Sequence, residues 1–258
     1  MLAVISPAKT LDFENTHTTP ELTQPVLLEN SVYLIEKLRK LSLKKIGEMM
    51  EISPKLAELN HQRYLDFNTP FTNKNAKPAI MVFKGDVYQG LKAEELSEKE
   101  LIYAQNHLNI LSGLYGLLKP FDLIQPYRLE MGTSLVVTPT KKNLYQYWGE
   151  TITNELNKNL AKSGTDLLVN LASQEYFKAV KPAKIKAKLV HCEFLDEKNG
   201  KFKTISFFAK KARGMMANYL IKNEVKKAED LRGFNYEGYI YSPNLSKNDQ
   251  FIFTRIEK

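Results

Sequence analysis

Three polar groups interrupt otherwise apolar segments of the chain: Ser6-Pro7-Ala8-Lys9-Thr10, Lys84-Gly85-Asp86, and Pro126-Tyr127-Arg128-Leu129-Glu130-Met131-Gly132. The first two follow strand-like runs, and loops at strand ends are common ligand sites. Lys9, Asp86, Arg128 and Glu130 are therefore the candidates for catalysis. Lys9 would be an amine nucleophile, Asp86 or Glu130 an acid or base, and the whole group could bind phosphate or move protons. The sequence alone does not bring the four together. A purely structural alternative pairs Lys9 with Asp86, and Arg128 with Glu130 or backbone carbonyls, to fix the loops.

A second constellation is one of charge. Between Lys178 and Lys227 there are fourteen Lys plus Arg against four Asp plus Glu, whereas the whole chain carries a net +8. The remainder is close to neutral. Asn199-Gly200 tolerates the positive φ angles of a tight hairpin, so Lys198 and Lys201 flank the predicted turn and Lys203 lies on the returning strand. A helix is predicted over Lys210 to Lys222, with Lys210, Lys211 and Arg213 at its head. Ala212, Met215, Met216, Tyr219 and Leu220 follow helical spacing and form its core stripe, with Lys210, Lys211 and Asn218 on other sides. Free amides at the helix start favour an anion, and a bound phosphate would offset the misplaced lysines. Positive charge concentrated in this way points to a polyanion, with nucleic acid ahead of a membrane surface; the alternative is a solvated lysine-rich face.

A third lies in LKKIGEMMEISPKLAELNHQRY, Leu43 to Tyr64. One short helix runs to Met50, and a second starts at Ser53-Pro54, a capping serine followed by proline at the first helical position. With Lys55 beside the free amides, the pair resembles a helix-hairpin-helix gripping backbone phosphate, although it lacks the usual Gly-x-Gly of that motif. A plain helical hairpin is the structural alternative. Trp148 could stack on a base, but a lone helical tryptophan is more often core.

Other chemistries find little support. His17, His61, His107 and His191 lack metal-ligand spacing, and Cys192 is the single cysteine, so no metal, disulfide or Cys-rich site is expected. Cys192 reads as ordinary packing in a strand. Gly113 and Gly116 match no phosphate-loop pattern, and no cofactor is indicated. No run approaches a membrane span and Met1 to Lys9 lacks signal-peptide character, so a cytoplasmic protein without a membrane partner is expected.

The elements that must position these groups read as mixed α and β in one domain, residues 1–258. Buried strands are predicted at Leu2–Ser6, Ala79–Phe83 and Asp166–Leu171. Helices are predicted at Val26–Leu41, after the capping box of Ser97 and Glu100, and over Leu144–Leu160. The last third reads as strand, hairpin and strand over Lys188–Ala209, the basic helix, and strands at Tyr236–Tyr241 and Gln250–Ile256. The expected fold class is α+β with a mixed sheet.

At these segments the sequence resembles the YaaA family of bacterial peroxide-stress proteins. The likeness is carried by SPAKTL (Ser6–Leu11), FKGDVYQGL (Phe83–Leu91), LSGLYGLLKPFDLIQPYRLEMG (Leu111–Gly132), NLASQEYFKAV (Asn170–Val180), FLDEKNGKFK with AKKARG (Phe194–Gly214) and GFNYEGY (Gly233–Tyr239). It extends over nearly the whole chain, in order. The resemblance implies a cytoplasmic protein that limits oxidative damage, with an unusual single-domain fold. It also implies binding of double-stranded or branched DNA, linked to repair and recombination, through a basic cleft and a helix-hairpin-helix. The hairpin maps to Ser53, Pro54 and Lys55, and the cleft to Lys198, Lys201, Lys203, Lys210, Lys211 and Arg213. It implies no established reaction. An enzyme acting on a nucleic-acid base or sugar through Lys9 with Asp86 or Glu130 is the alternative. A weaker one is limitation of free iron under peroxide stress.

Overall fold

The computed structural model describes residues 1–15 and 18–256, so His17 lies outside the described residues. Eight strands form one sheet: β1 (Leu2–Ile5), β2 (Leu108–Ser112), β3 (Gly116–Leu118), β4 (Leu167–Leu171), β5 (Lys188–Lys198), β6 (Lys201–Lys203), β7 (Ile240–Tyr241) and β8 (Gln250–Arg255). Their order is β7-β8-β5-β4-β1-β2-β3, with β6 also pairing β5. The centre is parallel, with β1 between β2 and β4, then β5 and β8. Antiparallel additions finish the edges, giving the mixed sheet of an α+β fold. Every residue of β1, β2 and β4 is buried, as expected of parallel strands covered on both faces.

The five parallel strands place the ends of β1 and β4 side by side, in the register Ile5 with Leu171. Helix Ser206–Lys222 packs across helix Asp86–Leu91. The crossing is very close: a Cβ on Gly214 would lie 1.7 Å from the Val87 carbonyl oxygen, and one on Gly90 would lie 2.1 Å from that of Lys211. Only glycine permits this approach.

Several elements differ from the sequence expectation. Ala79–Val82 is a helical turn, with strand pairing confined to Phe83–Lys84 against Thr10–Leu11. A short, wholly apolar run has no periodicity to distinguish the two states, and here Ala79 and Ile80 donate to the Asp122 and Pro120 carbonyls. Leu144–Leu160 is two helices, Leu144–Trp148 and Thr151–Lys162, interrupted at Gly149 with φ +52°. The basic helix begins at Ser206, so Ile205–Ala209 is not a strand and Lys210 sits a full turn inside the helix. Lys210 and Lys211 therefore lie beyond the first turn, away from the free amides of the helix start, and do not oppose the macrodipole there as expected. Only Ile240–Tyr241 of the expected strand Tyr236–Tyr241 is extended; Tyr236–Gly238 is a 3-10 turn. Asn218 is buried and donates to the Leu91 carbonyl at 2.8 Å, joining the two crossed helices instead of facing solvent.

Candidate functional site

Ser6, at the end of β1, and Ser173, after β4, bring the two central strand ends together. The Ser173 amide donates to the Ser6 hydroxyl at 2.9 Å, and the Tyr88 hydroxyl donates to the Ser6 carbonyl at 3.2 Å. Beyond them the chain from Pro7 reaches Thr10, which pairs with Lys84 in a two-stranded ribbon and so draws Lys9 beside Lys84-Gly85-Asp86. Gly85, at φ +146°, turns that ribbon directly into helix Asp86–Leu91. This conformation is open chiefly to glycine.

The third polar group is fixed from behind. A Cβ on Gly113 would lie 2.2 Å from the Leu129 carbonyl oxygen, so the turn between β2 and β3 closes directly on the Arg128–Glu130 segment. The Tyr64 hydroxyl donates to the Arg128 carbonyl. Glu175 accepts from the Gly132 amide at 2.9 Å.

These elements enclose a cavity of about 330 Å³ lined by Lys9, Lys84, Asp86, Glu130, Lys210 and Arg213 among others. Three of the four residues singled out in strand-end loops thus share one wall. Arg128 does not line it; it stands behind Glu130. The ion pairing also differs from the expected one: Lys9 meets Glu130 at 2.7 Å and not Asp86, while Arg128 binds the other oxygen of the same carboxylate at 3.0 Å. One carboxylate holds two cations. Lys210 and Arg213, grouped by the sequence with the basic hairpin, project from successive turns of helix Ser206–Lys222 and line the same cavity. Arg213 is mostly buried, its Nε lacks a hydrogen-bond partner, and burial disfavours its charged form. Lys211 turns the other way and pairs with Glu237 at 2.6 Å.

All fifteen lining residues fall within the strings that carry the family likeness. The family model for peroxide stress protein YaaA matches residues 1–245. The chain belongs to the YaaA family of peroxide stress proteins. In this YaaA-family chain the cavity is where five well-separated strings meet, which no local motif reveals.

The remaining positions are dispersed. Lys198, Lys201 and Lys203 are exposed around a turn whose Asn199 and Gly200 have φ of +55° and +70°, the conformation an Asn-Gly hairpin requires. Lys55 is exposed in the first turn of helix Pro54–Asp66, where the Ser53 hydroxyl accepts from the Leu56 amide at 3.4 Å. That helix packs on helix Leu43–Met50 across a turn with Glu51 at φ +53°, forming a helical hairpin. Trp148 is buried and donates to the Gly113 carbonyl at 3.0 Å, so it braces the fold and offers no face to a base. Cys192 is buried and its thiol pKa is pushed far up by desolvation, which removes the thiolate that reaction with peroxide requires. Among the described residues no group of three or more His, Cys, Asp or Glu is placed to hold a metal ion. No helix among them is long and apolar enough to cross a membrane.

Proposed function

We propose that this peroxide stress protein binds double-stranded or branched DNA without reading its sequence, and thereby protects oxidatively damaged DNA or assists its repair. The observation that carries the reading is the set of exposed hairpin cations Lys198, Lys201 and Lys203, none of which is ion-paired among the described residues. Clustered, accessible and free of direct ion pairs, they meet the condition for displacing counterions from a phosphate backbone. Lys55 and the amides beside it, at the tip of a helical hairpin, add a second contact of the same kind.

Binding of a duplex is expected to weaken steeply with salt, each phosphate contact contributing about −0.9 to the slope of log K against log salt. Lys198→Glu with Lys201→Glu is expected to weaken it at least tenfold more than Lys158→Glu with Lys162→Glu, which changes total charge equally. Fluorescence titrations at several salt concentrations read both. A slope near zero, or equal losses in the two double variants, would refute the assignment.

A second reading, an enzyme acting on a base or sugar, is favoured by the shared cavity of Lys9, Asp86 and Glu130. In it the Lys9 amine attacks an abasic-site aldehyde, loses water and leaves an imine. The ion pair with Glu130 opposes this, since it engages the ammonium, which is not nucleophilic. Borohydride trapping on abasic duplex decides: an adduct absent from Lys9→Ala establishes the enzyme, and no adduct in the parent protein rejects it.

A further inference from the structure

The cavity at the ends of β1 and β4 is asymmetric in its chemistry. Its carboxylates are largely engaged: Glu130 by Lys9 and Arg128, Glu175 by the Gly132 amide. Three of its cations are not, for Lys84, Lys210 and Arg213 form no ion pair among the described residues. Arg213 is the most telling of them. Its Nε is buried and has no hydrogen-bond partner among the described residues, and a buried donor left unmet calls for a partner. Its planar fork matches the paired oxygens of a phosphate, and Lys210 one turn earlier supplies a point charge to the same group. Asp86 lines the same cavity and forms no ion pair among the described residues, and Glu130 keeps lone pairs beyond its two cations, which suits a ligand with donors such as sugar hydroxyls or a base amine. At about 330 Å³ the space lies within the range of small-molecule sites.

We propose that this cavity binds a nucleotide-sized phosphomonoester, with the phosphate on Lys210 and Arg213 and the sugar or base donors directed to Asp86 and Glu130. Arg213 also borders an adjoining cavity that contains Glu193 and Asp249. Those carboxylates repel an anion, so the phosphate belongs on the Lys210 side. The proposal uses the cavity of the second reading but none of its covalent chemistry, and it is independent of duplex binding by the hairpin lysines. Two sources share this ligand chemistry, a free nucleotide and the 5′-phosphate of a DNA end.

Calorimetric titration of the full chain with a nucleoside 5′-monophosphate, the matching nucleoside and inorganic phosphate tests it. The monophosphate is expected to bind at least tenfold more tightly than either fragment. Lys210→Ala, at an exposed position that should not disturb folding, is expected to remove most of that advantage, and Arg213→Gln all of it. Paired blunt duplexes with and without 5′-phosphates distinguish the sources: a preference for the phosphorylated end that disappears in Lys210→Ala identifies a DNA end, and its absence beside tight nucleotide binding identifies a free nucleotide. A monophosphate that binds no better than the nucleoside, or an advantage that survives in Lys210→Ala, overturns the proposal. Retention of unphosphorylated duplex in that case would leave the DNA-binding reading standing.

Discussion

Gly214→Ala is expected to cost about 3 kcal/mol or more of stability, because the added methyl meets main chain, which cannot rotate aside. A Cβ there would lie 1.7 Å from the Val87 carbonyl oxygen and 2.8 Å from the Leu91 amide nitrogen. Helices Ser206–Lys222 and Asp86–Leu91 would have to separate, carrying Lys210 and Arg213 away from Asp86. For a chain of this size the melting temperature should fall by roughly 6–12 °C. The informative control is Gly47→Ala, in helix Leu43–Met50, where the nearest atom to a new Cβ is at 3.5 Å. Helix propensity alone should then make alanine better by up to about 1 kcal/mol. Identical substitutions in two helices thus carry opposite signs, and thermal melts of both variants read the difference. A Gly214→Ala protein that melts like the parent would show that the crossing is not as tight as described.

Arg255→Met is expected to cost about 3–5 kcal/mol, the range for leaving one member of a buried ion pair without its partner. Asp196 is 4% exposed and accepts from Arg255 Nε at 2.7 Å and from the Tyr239 hydroxyl at 2.8 Å. The guanidinium also lies 4.5 Å from the ring centroids of both Phe208 and Tyr239, so it fixes β5, β8 and the start of the basic helix together. Truncation leaves the carboxylate in an apolar setting with a single hydroxyl donor. Removing the second charge as well, in Asp196→Leu with Arg255→Met, should recover much of the loss. Chemical denaturation of the single and double variants measures this, and a double variant no more stable than Arg255→Met would show that packing, not the stranded charge, sets the cost.

Signals tied to a local mechanism were legible in the sequence. Ser53-Pro54 starts a helix, Ser97 and Glu100 close a capping box, and Asn199-Gly200 turns a hairpin, because each acts on backbone within a few residues. Leu108–Ser112, the neighbour of β1, was missed because it continues from helix Glu98–His107 without a Gly or Pro between them. The site divides in the same way. Lys9 and Asp86 stand out as charges at apolar strand ends and Glu130 as one inside an apolar segment, but Lys210 and Arg213 group with the hairpin by proximity in sequence. The packing of their helix on helix Asp86–Leu91, a contact distant in sequence, is what brings them to the cavity. Gly90 and Gly214 offered the one usable hint. A glycine inside a helical pattern is unfavourable unless something approaches it closely, and this pair marks where the two halves of the site meet.

The position of β1 in the sheet also governs when the cavity can exist. Its residues are made well before those they pair with, for Ala3 pairs with Leu108 and Val169, so the strand has neither of these neighbours until more than a hundred further residues have been added. The arginine that completes the cavity comes later still, at residue 213. Pairings so distant in sequence close large loops before they return any contact energy, which slows folding and leaves an apolar strand exposed meanwhile. Nascent chains ending before helix Ser206–Lys222 therefore carry the helical hairpin that includes Lys55 but lack the Lys210 and Arg213 part of the cavity lining, so the two features mature at different moments of synthesis.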